Sequence, residues 1–212
     1  MATTASPYGF IPVKNADGSP YNGARNSYLI DPAGVALNMG YGSIVILKDG
    51  YVQLSVKTGS ASGDANNFSA VANGGALGVF VGCEYVNAQG QLVFDQLYPS
   101  GYAAPAGTEI RAYVVDDPNV TFQVQASGAV AQAFLGRNTF LSATPDGDDG
   151  DVNLTTGKSK TAVSHSATDA TAAFKIMGFS DRPGSTVGDT YTDLLVKFNG
   201  DYHQYANADV TS

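Results

Sequence analysis

The chain has little of what helical, disulfide-linked or metal-binding proteins use. It contains two Glu among 19 acidic residues, no Trp, two His and a single Cys. One cysteine excludes an intrachain disulfide, so stability has to come from core packing or assembly. No run reaches the roughly 18 apolar residues of a membrane span. Residues 1–6 show neither the basic start nor the apolar run of a signal peptide, so we expect neither a leader nor a membrane partner.

The charge balance restricts the partners further. Only 14% of the residues are charged, and the net charge is −8. Nucleic acids and anionic membranes select basic surfaces, so we expect no nucleic-acid partner. Residues 1–60 carry a net charge of +1, residues 61–137 carry −4 and residues 138–212 carry −5. The N-terminal part is therefore the only stretch that approaches an acidic partner without repulsion.

Turn-forming residues are abundant instead. The chain has 17 Asp and 25 Gly, both of which are unfavourable inside helices and common in turns. Short alternating segments follow one another without long helical patterns between them. This pattern predicts an all-β fold, an antiparallel β-barrel or sandwich with at most one short helix.

The first forty residues differ from the rest. Prolines and glycines interrupt them throughout, which excludes a central strand or a helix. They also carry apolar groups that a flexible linker would not need. We therefore predict an extended N-terminal arm over residues 1–40, which lies on another surface, and a single β-rich domain over residues 41–212. The candidate contact residues of the arm are Tyr8, Phe10, Ile11, Pro12 and Lys14.

Three hairpins are predicted in the domain. Asp49-Gly50 is the strongest turn signal and joins residues 44–48 to residues 51–57. The second hairpin joins residues 77–86 to 91–97, and the third joins 109–115 to 120–126. A loop is predicted over 58–76, one short helix over 129–135, and further strands over 139–142, 173–179 and 194–198.

Most motifs for binding or catalysis are incomplete. Thr156-Gly157-Lys158-Ser159 resembles the tail of a phosphate-binding loop, but Val152 stands where that motif needs its first Gly. Residues 146–151 form an oxygen-rich acidic cluster that does not match the EF-hand spacing. We interpret it as an exposed acidic loop, and whether it binds a cation stays open.

The nucleophiles and metal ligands of the chain are few. Cys83 lies in an apolar run and is interpreted as a small buried hydrophobe. His165 and His203 lie in polar stretches and are interpreted as surface residues without metal-ligand spacing. Counts alone do not exclude a Ser-His-Asp triad, but no Gly-x-Ser-x-Gly motif is present. We expect no enzyme, no catalytic residue, no metal and no cofactor.

A set of stretches runs through most of the chain. They are ATTASPYGFIPVK (2–14), YGSIVILKDGYV (41–52), LGVFVGCEY (77–85), AYVVDDPNVTFQVQ (112–125), GRN (136–138), TGKS (156–159), KIMGFSDRPGSTVGDTYTDLLVKFN (175–199) and HQY (203–205). In this order they resemble the capsid decoration, or cement, proteins of tailed phages. The resemblance implies a part of the virion that binds the outside of the major capsid protein shell, commonly as a homotrimer.

The residues suit this role. A decoration protein needs a stiff β body without open edges and a means of reaching neighbouring shell subunits. A single arm binds weakly, whereas three arms on a trimer bind strongly through effective concentration. The alternatives are a neck, tail or receptor-binding component of the virion, or a β-barrel hydrolase or sugar-binding module. Strand order, capsid symmetry, copy number and host stay open.

Overall fold

The computed structural model of the chain describes residues 4–55, 75–142, 152–165, 172–180 and 182–205. Within these residues the fold is all β, with two single 3-10 turns at Gln132–Phe134 and Gly200–Tyr202 and no α-helix, which confirms the predicted fold class. The strands are β1 (Ile11–Asn15), β2 (Asn26–Ile30), β3 (Met39–Gly40), β4 (Ile44–Lys48), β5 (Tyr51–Leu54), β6 (Gly78–Val86), β7 (Leu92–Asp95), β8 (Leu97–Tyr98), β9 (Ile110–Val115), β10 (Val120–Gln125), β11 (Asn138–Thr139), β12 (Val152–Asn153), β13 (Lys158–Ser159), β14 (Phe174–Phe179) and β15 (Asp193–Phe198).

Five strands form an antiparallel sheet, sheet A, in the order β1-β10-β15-β14-β11. Successive side chains of a strand point to opposite faces, so every second residue lies on the same side. In β10 the residues of one face are Phe122 and Val124, and Val196 of β15 lies opposite Phe122. All three side chains are fully buried. The alternation predicted over residues 120–126 therefore marks the core face of sheet A.

A second antiparallel sheet, sheet B, has the order β2-β9-β6-β4-β5. A further strand, β7, pairs with the C-terminal half of β6. The sheet curls until β5 contacts β2, as in a barrel that is close to closure. Alternate residues such as Val45, Phe80 and Val114 pack inside this curl. Sheet B thus encloses an apolar core of its own.

The two sheets share another apolar cluster. Sheet A contributes its inward-facing residues, and one end of sheet B contributes Ile44, Val79 and Val115. Phenylalanine rings fill this cluster, with Phe10 stacked on Phe174 at a centroid distance of 4.9 Å. Sheet A therefore covers one end of sheet B, and the opposite end of sheet B extends beyond it.

The first two predicted hairpins are confirmed. β4 pairs with β5 across Asp49-Gly50. Both turn residues have positive φ, 51° and 82°, which is the conformation of a type I′ turn. β6 pairs with β7 across residues 87–91. In both hairpins the partner strands are neighbours in sequence, so local turn chemistry determines the pairing.

The third predicted hairpin is wrong. β9 lies in sheet B between β2 and β6, whereas β10 lies in sheet A between β1 and β15. Residues 116–119 therefore cross from one sheet to the other. Asp116 is buried at this crossing and accepts hydrogen bonds from Asn26 Nδ2 at 2.8 Å and from Tyr205 OH at 2.6 Å. Strand alternation and a polar turn look the same in a hairpin and in a crossover.

The other predicted strands, the predicted helix and the predicted loops have different outcomes. The strands predicted over 173–179 and 194–198 are confirmed as β14 and β15, and the strand predicted over 139–142 is reduced to β11. The helical spacing over 129–135 produces only the 3-10 turn at Gln132–Phe134. The acidic residues 146–151, and the loop predicted over 58–76 except for Gly75 and Ala76, lie outside the described residues.

The N-terminal segment is extended, as predicted, but it belongs to the same folded body. β1 pairs with β10 at the edge of sheet A, and β2 pairs with β9 at the edge of sheet B. The structure therefore differs from a separate arm over 1–40 and a domain over 41–212. Proline is tolerated on edge strands, which explains how Pro12 lies in β1. Four apolar side chains of this segment, Phe10, Ile30, Val35 and Met39, belong to the molecule's own core.

Candidate functional site

One face of sheet B is left uncovered where the sheet extends beyond sheet A. Four residues on four strands form a row across this face, each opposite the next: Leu29, Arg111, Glu84 and Phe94. Leu92 lies two residues before Phe94 on β7. We call these five residues the outer face.

The strand alternation explains why the outer face is exposed. In β6, Cys83 and Tyr85 pack into the core of sheet B, so Glu84 between them points the opposite way. Phe94 lies opposite Glu84 and therefore shares its direction. Phe94 is 67% exposed and Leu92 is 59% exposed. One short strand thus exposes two large apolar side chains to solvent.

β7 is also an open sheet edge. Among the described residues its only strand partner is β6. An edge strand has unpaired backbone N–H and C=O groups, and proteins usually protect it with Lys, Pro or charged side chains. β1, an edge of sheet A, carries Pro12 and Lys14, whereas β7 has neither Pro nor Lys and carries a single charged residue, Asp95, at its end. β7 therefore offers both apolar side chains and unpaired backbone groups to a partner.

Polar contacts hold the centre of the outer face. Arg111 forms ion pairs with Glu109 at 2.9 Å and with Glu84 at 3.8 Å. Tyr113 OH donates a hydrogen bond to Glu84 at 2.7 Å, and this bond, together with burial, raises the pKa of Tyr113. The guanidinium of Arg25 lies 4.4 Å from the Tyr113 ring. Exposed pairs of this kind add little stability, but together they restrict how the side chains move.

Two of the predicted contact residues have internal roles. Phe10 is fully buried between sheet A and sheet B, so it offers no surface to a partner. Tyr8 is half-buried. Its OH donates a hydrogen bond to Asp193 at 2.8 Å and accepts one from Gln123 Nε2 at 2.9 Å. Burial raises the pKa of Tyr8, so the hydroxyl stays protonated as a donor. Sequence patterns alone did not distinguish an anchor from a core residue here.

The other three predicted contact residues lie on β1. Ile11, Pro12 and Lys14 are half-buried, and Ile11 lies beside the same cleft as Tyr8. The structure thus brings Tyr8 and Ile11 together and separates them from Phe10. A contact between these residues and a capsid stays a prediction.

The predicted burial of Cys83 and exposure of His165 are confirmed, whereas the predicted exposure of His203 is wrong. Cys83 is buried as predicted, and burial raises the pKa of its thiol to about 12. His165 is exposed, as predicted. The prediction of a surface position for His203 is wrong, because its side chain is fully buried. Its Nδ1 accepts from the backbone N–H of Tyr205 at 3.3 Å, and its Nε2 has no hydrogen-bond partner among the described residues.

In the part of the chain that the structure describes, the remaining sequence motifs do not form the phosphate-binding loop, metal site or membrane helix that such patterns can indicate. Thr156 to Ser159 belong to the hairpin β12–β13 and not to a strand–helix junction, so the phosphate-binding motif lacks its structural context. No group of three or more His, Cys, Asp or Glu side chains that suits a metal occurs in these residues. No helix in them is long and apolar enough to cross a membrane.

The outer face was only partly visible in the sequence. Two of the four strands that carry it, β6 and β7, were predicted as the second hairpin, whereas Leu29 was placed in the arm and Arg111 in the third hairpin. No local signal shows that sheet A ends before reaching this face. Comparison with known proteins adds no relative: no family model, no curated protein and no solved structure matches the chain.

Proposed function

We propose that this chain is a capsid decoration protein of a tailed phage. It binds the outer surface of the major capsid protein shell, stabilises the head and resides on the capsid exterior. It acts by adhesion and not by catalysis. The observation that carries the proposal is the outer face, where Leu92 and Phe94 are exposed on an open edge strand.

The sequence resemblance supports the same surface. The stretch 77–85 contains most of β6 with Glu84, and the stretch 112–125 contains the second half of β9 with Tyr113. β6 pairs with β7 on one side and with β9 on the other, so these two strands support β7. The segments that resemble decoration proteins therefore include the support of the outer face as well as the core.

The energetics favour a multivalent attachment. Burying the exposed parts of Leu92 and Phe94 contributes about 1–3 kcal/mol for each side chain before ordering costs. A single outer face therefore binds weakly. A homotrimer that presents three such faces to the shell binds far more tightly, because the second and third contacts become intramolecular. We accordingly propose the homotrimer as the functional form.

Contacts within the protein hold the strands of the outer face in place, which reduces the entropy lost when this face binds a partner. Tyr102 OH donates a hydrogen bond to the carbonyl of Val86, at the end of β6 next to the turn. Arg111, Glu84 and Tyr113 link the strands below that point. Side chains that are already ordered lose less entropy on binding. Adhesion through this face therefore needs no folding step.

Purified virions of the phage that encodes the chain test the proposal. Cryo-electron microscopy combined with quantitative mass spectrometry gives the position and the copy number of the chain in each particle. We expect many copies distributed over the head, with β7 against the shell. Copies confined to one vertex would support the neck, tail or receptor-binding alternative, and a head that lacks the chain would contradict the proposal.

A further inference from the structure

We propose that a cleft beside the N-terminal segment binds a saccharide that carries a carboxylate group. The cleft has a volume of about 780 Å³, within the roughly 300–1,000 Å³ of small-ligand sites. It lies between residues 4–8, the ends of β10 and β15, the hairpin β12–β13 and the turn at Arg182. It shares no residue with the outer face, and this site does not depend on the proposed function.

The cleft is positively charged in an acidic molecule. Three of the 11 Lys and Arg residues line it, Lys158, Lys160 and Arg182, although the net charge of the chain is −8. Among the described residues of its lining the only acidic one is Asp193, which is buried and engaged within the molecule. Asp193 accepts a hydrogen bond from Tyr8 OH at 2.8 Å and faces Arg182 Nε at 3.5 Å. The cleft therefore attracts a negatively charged group.

Two of the cations, Lys158 and Arg182, lie on different elements of the lining. Lys158 is exposed on β13 and forms no ion pair with any residue that the structure describes. The Arg182 side chain is 49% exposed, and its guanidinium lies 5.4 Å from the centre of the Tyr8 ring. The contacts with Asp193 and Tyr8 hold this guanidinium in place, and its five N–H donors exceed what those contacts use. Arg182 is thus preorganised to bind an acceptor.

Two amide side chains in the lining have their oxygens occupied. Gln125 Oε1 accepts from the backbone N–H of Ser6 at 2.9 Å. Asn153 Oδ1 accepts from the backbone N–H groups of Thr155 and Thr156 at 3.0 and 3.2 Å. Because each amide oxygen is used, the NH₂ group of each amide is the end that donates to a ligand. The lining is therefore rich in donors, and its ligand is rich in acceptors.

The donor set favours a sugar acid over a phosphate. Sugar hydroxyl and ring oxygens accept from neutral amides, and a carboxylate accepts charge-assisted hydrogen bonds from Lys and Arg. A phosphate holds all its oxygens around one atom, whereas a sugar acid is long enough to offer its carboxylate to the cations and its hydroxyl and ring oxygens to the amides on other elements of the lining. A long polyanion would be repelled by the chain as a whole, whose net charge is −8. A short saccharide of one or two rings, with one carboxylate for each ring, offers both kinds of acceptor and carries little charge.

Isothermal titration calorimetry of the full chain tests the proposed ligand. The probes are digalacturonic acid, the neutral disaccharide with the same linkage, sodium acetate and inorganic phosphate. We expect digalacturonic acid to bind at least about tenfold more tightly than each of the other three. Absence of digalacturonate binding overturns the proposal. Equal or tighter binding of the neutral sugar, of acetate or of phosphate overturns it as well, because the neutral sugar lacks the carboxylate, acetate lacks the sugar and phosphate lacks both.

Two matched variants test the location. Lys158→Gln removes an exposed charge from the cleft, and Lys175→Gln removes one from the exposed face of β14. Both changes alter the net charge equally and leave the core intact. We expect Lys158→Gln to weaken digalacturonate binding by roughly threefold to tenfold, and Lys175→Gln to leave it unchanged. Equal effects of the two variants would mean general charge attraction and would overturn the site.

Discussion

The side-chain amide of Gln204 hydrogen-bonds both backbone groups of Leu47. Gln204 Oε1 accepts from the Leu47 N–H at 3.2 Å, and Gln204 Nε2 donates to the Leu47 carbonyl at 3.0 Å. Leu47 lies on β4 beyond the residues that pair with β6. The amide therefore occupies the position of a missing strand partner. This contact attaches the C-terminal part of the described chain to sheet B.

The first prediction concerns this attachment. Gln204→Glu removes the donor to the Leu47 carbonyl and places a carboxylate oxygen against it. We expect the free energy of unfolding at pH 7 to fall by about 1–3 kcal/mol, because a buried acceptor loses its partner. Urea unfolding measures the change. The control is Gln89→Glu at the exposed turn of the second hairpin, and equal effects of the two substitutions would refute the attachment.

The second prediction concerns Asp116. Burial alone would raise the pKa of Asp116, but hydrogen bonds from Asn26, Tyr205 and Tyr28 outweigh burial and lower it from 3.8. A lowered folded-state pKa stabilises the fold above the pKa of the unfolded chain, and this stabilisation is lost as the pH falls through the folded-state value.

The variant Asp116→Asn tests the pKa shift. We expect it to reduce the free energy of unfolding by about 1.5–3 kcal/mol at pH 7, because a charged acceptor is replaced by a neutral one. The difference between wild type and variant should shrink as the pH falls from 5 to 3. Urea unfolding at several pH values measures it. A difference that stays constant over this window would contradict the assignment.

The third prediction concerns His203. Burial lowers the pKa of His203 from 6.5, against the opposing charges of Asp116 and Asp117. The unfolded chain therefore binds a proton at a higher pH than the folded chain does. The stabilisation from neutral His203 is complete above pH 6.5 and is lost as the pH falls towards the folded-state pKa.

A phenylalanine at this position removes the titration. His203→Phe should flatten the pH dependence of the unfolding free energy between pH 7 and 5, by at most about 1.4 kcal/mol for each pH unit. The control is His165→Phe, the same change at an exposed position. Thermal unfolding at fixed ionic strength reports the slopes. If His203→Phe keeps the wild-type slope, the burial of His203 does not control this part of the profile.

The fourth prediction distinguishes a core residue from an anchor. Phe10→Ala should lower the free energy of unfolding by about 3–5 kcal/mol, because it leaves a cavity beside Phe174 and Phe122. The control is Val13→Ala on β1, whose side chain is 40% exposed. Denaturant unfolding compares the two. A small effect of Phe10→Ala would restore the prediction that Phe10 is a surface contact.

Local features of the fold could be predicted from the sequence, and non-local ones could not. Asp49 and Gly50 are adjacent, and their backbone preferences define a turn without reference to the rest of the chain. The partner of β9 depends on strands far away in sequence, so Asp116 has the appearance of a hairpin residue although it lies at a crossover. Burial of Phe10 and His203 is likewise determined by tertiary packing, which residue type and polar neighbours do not report.

The same distinction applies to the candidate site. The apolar run Leu92-Val93-Phe94 predicts a strand, which places Leu92 and Phe94 together on one face. It does not show whether that face lies beneath another sheet or beyond its edge. The exposure of the outer face follows from the extent of sheet A, and this is a property of the whole fold.

Binding of the purified chain to heads assembled without it tests the central claim most directly. The test variant combines Leu92→Ser with Phe94→Ser, and the control is Leu154→Ser, a side chain that is 65% exposed on the hairpin β12–β13. Thermal unfolding verifies that both variants stay folded. We expect the double variant to raise the Kd for heads at least about tenfold, and the control to leave it unchanged. An unchanged Kd for the folded double variant would contradict adhesion through the outer face.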